Sequence, residues 1–247
     1  MNNTRKMVAA GKFYPENPGD LSRAISECYN SQVLCESLIK PKILIVPHAG
    51  YQYSGPIAAS SYQLAKHKKR FIIIGTSHNY PIEGIIGSPE AYWQTPFGNL
   101  KTFYLNGLPL NNLLHSDEHS IEVQLPFIHN IYDKNEICPL LMGSGINESE
   151  FLIIEKAMDG AVIIVSSDLS HYNPYPTANA IDHKTIDKIL NFKPVSADEA
   201  CGCYGINMAM ILAKRQKLTP RLIYYRNSGD TFGDKTAVVG YASIGFF

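Results

Sequence analysis

Seven short apolar runs constrain this chain more than any other feature: Ile43–Val46, Phe71–Ile74, Ile85–Ile86, Ile137–Met142, Ala161–Val165, Leu222–Tyr225 and Ala237–Tyr241. Most are rich in β-branched residues and apolar throughout, without alternation. That is the pattern of strands covered on both faces. Helical spacing fills the intervals. Leu21, Ala24, Ile25 and Cys28 fall at i, i+3, i+4 and i+7 after an Asn17-Pro18-Gly19 turn. Pro56 suits the first position of a helix over Ile57–His67. Ser196 and Glu199 have capping-box spacing ahead of a helix running to Arg215. Strands alternating with helices predict one α/β domain over residues 1–247, with a mostly parallel or mixed sheet flanked by helices.

Composition narrows the class of partner. Twenty-two Lys and Arg balance 22 Asp and Glu, and the longest basic run is His67-Lys68-Lys69-Arg70. Nucleic acid and anionic membranes are therefore poor main partners. A chain of 247 residues that is 45% hydrophobic needs no disulfide or metal merely to hold its core. Its cysteines, at 28, 35, 138, 201 and 203, are odd in number and lack a disulfide-framework spacing. The first eleven residues contain no apolar leader, and no run approaches the roughly 18 apolar residues of a membrane span. The expected compartment is the reduced cytoplasm.

The residues that carry chemistry lie just beyond the strands. Ile43–Val46 leads into Pro47-His48-Ala49-Gly50, Phe71–Ile74 into Gly75-Thr76-Ser77-His78, and Ala161–Val165 into Ser166-Ser167-Asp168-Leu169-Ser170-His171. Ligand crevices of open α/β sheets lie outside the carboxyl ends of the strands, where these loops would converge. Imidazoles delivered there by separate loops suit iron, zinc or copper. A lone histidine after a strand is usually an ordinary surface residue; three in Gly/Ser/Pro-rich turns shift the balance toward a site. His67, His115, His129 and His183 read as surface residues. The stretch from Ser116 reads as a helix start capped by Ser116, on which His119 and Glu122 share a face, either as a carboxylate–His pair beside a metal or as an acidic first turn. Cys201 would fall in the first turn of a helix, where the dipole lowers a thiol pKa. Phosphate-binding glycine loops and a G-x-S-x-G elbow are both missing, which removes nucleotide-dependent enzymes and α/β-hydrolases.

The segments Ala10–Pro15, Val46–Tyr51 with Ser54-Gly55-Pro56, Gly75–His78, Glu118–Phe127, Ser166–Tyr172, Asn227–Thr231 and Val238–Ala242 together resemble the Memo family, nearly end to end. The resemblance implies a fold similar to class III extradiol dioxygenases. Prokaryotic members are named AmmeMemoRadiSam system protein B, which implies radical-SAM and AMMECR-type proteins as pathway partners. Transferred residue by residue, it implies a metal site at His48, His78 and Cys201, with Asp168, His171 and His119 as catalytic residues of the same pocket. Cys203 is a second candidate thiol. Iron(II) is the implied metal, with copper and zinc as alternatives. A thiolate where dioxygenases carry a carboxylate makes the set softer, so the fold alone does not license ring cleavage. Three functions remain open: a redox enzyme acting on an unknown small molecule, a non-catalytic adaptor or metal carrier, and a zinc hydrolase.

Overall fold

A mixed sheet spans the molecule, from the N-terminal segment at one edge to a C-terminal antiparallel pair at the other. The computed structural model describes residues 3–31, 40–66, 68–131 and 134–247; Cys35 and His67 lie outside them. In chain order the elements are β1 (Thr4–Arg5), α1 (Pro18–Asn30), β2 (Ile43–Val46), α2 (Tyr51–Leu64), β3 (Arg70–Gly75), β4 (Ile85–Gly87), β5 (Tyr92–Thr95), β6 (Gly98–Thr102) and α3 (Asn112–Ser116). A 3₁₀ turn (Glu122–Gln124) then leads into α4 (Leu125–His129). The chain continues through β7 (Glu136–Met142), α5 (Glu148–Ala157), β8 (Val162–Ser166), α6 (Tyr175–Leu190), α7 (Cys203–Arg215), β9 (Pro220–Asn227), α8 (Ser228–Thr231) and β10 (Gly240–Phe246).

Strand order is β1-β5-β6-β7-β3-β8-β2-β10-β9, with β4 also pairing β7. Strands β6, β7, β3, β8 and β2 are mutually parallel; β10 and β9 complete that edge antiparallel. The unbroken apolar runs now have their cause. Ile43, Ile45, Ile72, Ile74, Ile163 and Val165 pack in one core layer with α5, α6 and α7 residues such as Ile154, Ile189 and Leu212. Leu44, Val46, Phe71, Ile73, Val162 and Ile164 pack in the other with Leu21 and Ile25 of α1, Tyr62 of α2 and Phe127 of α4. Both faces of each central strand are dry, so neither can be polar. Pro139 is tolerated inside β7 because of where it falls. Strand β6 pairs with Glu136 and Ile137, β4 with Leu140 to Met142, and Pro139 sits between the two ladders.

Four expectations need correction. Helix α2 begins at Tyr51, and Pro56 lies inside it. Gly50 accepts the first turn's N–H groups from Tyr53 and Ser54, so the helix starts immediately beyond His48. Ser116 ends α3 and does not cap a helix; the chain from 117 to 121 is irregular. Ser196 and Glu199 do bond each other, but they close an isolated turn, and α7 starts only at Cys203. The last strand runs Gly240–Phe246, later than Ala237–Tyr241, because Val238 and Val239 are held in a loop by Asn173 and Ser228. The β5–β6 hairpin has too short and polar an alternation to stand out in the sequence.

Candidate metal centre

Parallel alignment puts the ends of β2, β3 and β8 at one rim, and each supplies a side chain there. His48 follows β2 and is buried; His78 follows β3 and is more open. A fourth segment, the irregular chain before the 3₁₀ turn, adds His119. Gly75 makes this approach possible: a Cβ there would meet Ser120 Oγ at 2.5 Å and Ile121 Cγ1 at 2.7 Å. Ser120 Oγ in turn donates to the Thr76 carbonyl at 2.8 Å, which ties the His119 segment to the His78 loop.

One nitrogen from each of His48, His78 and His119 can be chosen so that all three lie within 4.8 Å of one another. His119 is stacked between Phe13 and His78, with ring centroids at 4.4 and 4.5 Å, while His48 meets the imidazoles of His78 and His119 edge-on at 5.3 and 5.5 Å. The hydrogen bonds set the tautomers. Ser166 Oγ donates its one proton to the Ser120 carbonyl at 2.6 Å and accepts from Gln124 Nε2 at 2.8 Å. Against His48 Nδ1 at 3.0 Å it can therefore only accept, so Nδ1 carries the proton and Nε2 presents a lone pair. On His78, Nδ1 faces Glu118 Oε1 at 3.0 Å, and the backbone N–H donates to Oε2 at 2.7 Å. Glu118 also accepts from Ser120 N at 2.8 Å and lies 3.4 Å from His119 Nδ1.

Electrostatics follow from this packing. Burial pushes His48 down to about 3 and His119 down to about 4, keeping both imidazoles neutral and able to ligate. For His78 burial acts downward but is outweighed by the bond and charge of Glu118, so its pKa rises. Burial opposes ionisation of Glu118 as well, yet its bonds from His78 and Ser120 hold the carboxyl down at about 2. Imidazoles from several elements, two of them oriented by a partner at Nδ1, fit a first-row transition metal.

The remaining expected residues have distinct places. Cys201 Sγ is 3.5 Å from His48 Nε2, in the turn before α7. Its thiol does not gain the expected depression. Burial and the Asp168 charge push it up to about 12, and Asp168 N donates to the sulfur at 3.3 Å. Gly202 allows this turn to pack, since a Cβ there would lie 2.6 Å from Ser167 Cβ and 2.9 Å from the Ser166 carbonyl. Asp168 is buried, accepts from His48 N at 2.8 Å through Oδ1, and brings Oδ2 to 4.0 Å from His48 Nε2. Burial raises its carboxyl. His171 stays on the exposed rim, its ring 5.8 Å from that of Tyr172. Cys203 points into the core with Ile206 and Ala209, away from the pocket.

Glu122 is not the partner of His119. Its carboxylate is paired with Arg5 and accepts from Tyr14 Oη at 2.7 Å and from the Val8 and Ala9 amides at 2.9 Å. His115 is fully buried, not a surface residue; Nε2 meets the Ile86 carbonyl at 3.2 Å. Sequence reasoning missed Glu118 and Ser166 as orienting groups. No local spacing marks either one, because both act across the fold and not along a helix face.

A mixed α/β sheet that gathers imidazoles beyond the ends of its parallel central strands defines a class, that of α/β proteins with a candidate transition-metal pocket. Comparison with known sequences makes it specific. The profile of the Memo family, described as Memo-like protein, matches residues 5–245. The chain is 34% identical over 265 residues to a MEMO1 family protein of Methanosarcina mazei, covering 97% of this chain and 98% of the relative. It is 34% identical over 276 residues to one of Methanobrevibacter smithii (97% and 98%) and 34% over 279 residues to one of Ignicoccus hospitalis (98% and 98%). The chain belongs to the Memo family. No helix among the described residues is long and apolar enough to cross a membrane.

Proposed function

We propose that this chain is a metal-dependent redox protein whose pocket binds one first-row transition ion, iron(II) in the first instance, and acts on a small molecule. One observation carries the reading: three imidazoles from separate elements come within 4.8 Å of one another, two of them oriented at Nδ1 by Ser166 and Glu118. His48, His78 and His119 would hold the ion, and Cys201 would supply an anionic sulfur, losing its proton on binding. Bound iron or copper supplies one-electron chemistry and open positions for an oxygen-bearing ligand. Asp168, buried and raised, can hold a proton at Oδ2 beside His48, and exposed His171 can pass one to solvent.

The test is metal analysis of protein purified without oxygen, for the wild type and for His48→Ala, His78→Ala, His119→Ala and Cys201→Ser. Near-stoichiometric iron or copper, lost in the histidine variants, with oxygen uptake or reduction on catechols, thiols or ascorbate, is the expected result. Metal bound without any such turnover sinks the redox reading. The three imidazoles taken without the thiol favour a second reading, since three histidines and an open position also suit hydrolytic zinc. Zinc recovered in place of iron, with turnover of an ester probe, would select it, with Asp168 as base. As a carrier or adaptor, the chain would bring down radical-SAM or AMMECR-type proteins from native extracts and show no turnover.

A further inference from the structure

Beside the metal pocket lies a second cavity of about 350 Å³, lined by Tyr53, Tyr172, Phe232, Tyr241 and Asp234, with small residues completing its wall. Two of its walls come from segments that also build the pocket. Tyr53 lies five residues beyond His48 on α2, and Tyr172 follows His171. The Asp168 charge is close enough to help raise the Tyr241 phenol, after burial itself. Tyr53 and Phe232 meet at 5.2 Å with ring planes inclined at 58°, which makes a corner. Tyr172 is 76% exposed and sits in the left-handed region at φ 58°, an uncommon conformation for an aromatic residue. Neighbouring backbone holds it there: Val238 N donates to the Asn173 carbonyl at 2.9 Å and Tyr175 N to the Lys235 carbonyl at 3.0 Å. The Tyr172 and Phe232 loops are thus clipped together.

The lining has a sign. It contains four aromatic rings and one carboxylate, and neither Lys nor Arg. Lys235, the nearest cation in sequence, is turned onto Tyr175 at 4.6 Å. Asp234 Oδ1 accepts from Thr236 N and Oγ1 at 2.9 and 2.8 Å. Aromatic faces carry a negative quadrupole, so rings around one carboxylate attract a weakly hydrated cation over a neutral or anionic group of equal size.

We propose that this cavity binds an organic cation, a quaternary ammonium or methylated amine, and anchors the substrate of the adjoining centre through it. The anchoring role rests on the metal-centre reading above; the cation binding does not.

The probes are choline and its neutral isostere 3,3-dimethylbutan-1-ol, titrated into the whole chain by calorimetry and by proton NMR, with and without added iron(II). Choline is expected to bind about fivefold more tightly than the alcohol, with its methyl protons shifted upfield by the rings. Phe232→Leu and Tyr172→Leu each weaken choline several-fold while affecting the alcohol less. Asp234→Asn reduces the preference. All three positions are exposed, so these variants should fold. Equal binding of both probes, no binding, or choline binding indifferent to the two leucine substitutions overturns the proposal. His78→Ala separates the two readings: it abolishes metal binding and leaves choline affinity unchanged. Choline affinity lost in His78→Ala also overturns the proposal, because the cavity would then not be a site of its own.

Discussion

Glu118 and Glu122 stand four residues apart in one segment, both almost completely buried, and do opposite work. Glu122 is saturated. Arg5, Tyr14 and two backbone amides surround it, and Arg5 continues to the carbonyls of His115 and Glu118 at 3.1 and 2.7 Å while lying 4.6 Å over Trp93. That network pins the N-terminal segment to the body of the protein. Glu118 faces imidazoles: it bonds His78 Nδ1 and lies 3.4 Å from His119 Nδ1, beside the third ring of the cluster. A buried carboxylate with a full set of fixed donors is architecture; one that spends its bonds orienting groups with lone pairs left over belongs to a site.

The comparison can be broken by substitution. Glu122→Ala leaves the Arg5 guanidinium buried without its partner, and a loss of about 3–5 kcal/mol is expected in urea denaturation. A loss under about 1 kcal/mol would show that the N-terminal segment is not pinned there. Acid comes next. His48, His115 and His119 are held by burial at about 3, about 4 and about 4, below the usual imidazole range, whereas the unfolded chain protonates near 6.5. Stability of the metal-free chain is therefore full above about pH 6.5 and falls as pH drops toward 3, by on the order of a few kcal/mol. Glu118, held near 2, adds a further loss between about pH 4.5 and 2. An unfolding midpoint that does not move between about pH 7 and 4 would contradict the neutral histidines.

Glu118→Gln keeps the shape but removes the charge that orients His78. Metal affinity should fall about 10–100-fold in a chelator competition, with less destabilisation than Glu122→Ala. Equal destabilisation with intact affinity would place both carboxylates in the same class. Smallest of the four, Tyr14→Phe removes a single donor from a carboxylate that keeps the others. It should cost about 1 kcal/mol of stability and leave metal affinity untouched.

Sequence periodicity placed β2, β3 and β8 and the loops after them because two-sided burial leaves a local signature in every residue of a strand. Helix α1 was legible for a similar reason: its apolar stripe repeats every turn, and Asn17 accepts from Gly19 and Asp20 at its start. Signals at element boundaries were weaker. Pro56 looked like a beginning, but Gly50 had already started the turn. The spacing of His119 and Glu122 suggested a shared helix face, but no helix spans the two: α3 ends at Ser116 and the 3₁₀ turn starts only at Glu122.

What the chain determined by itself was therefore the class of fold and the loops carrying histidines, since both follow from short-range patterns of burial and turn chemistry. Which of those side chains meet was decided only in three dimensions. Strand order β7-β3-β8-β2 sets the loops side by side, Gly75 lets the Ser120 segment lie against β3, and Ser166 and Glu118 turn the rings. Those contacts join residues 40 to 118 positions apart, and no local pattern can encode a separation of that size.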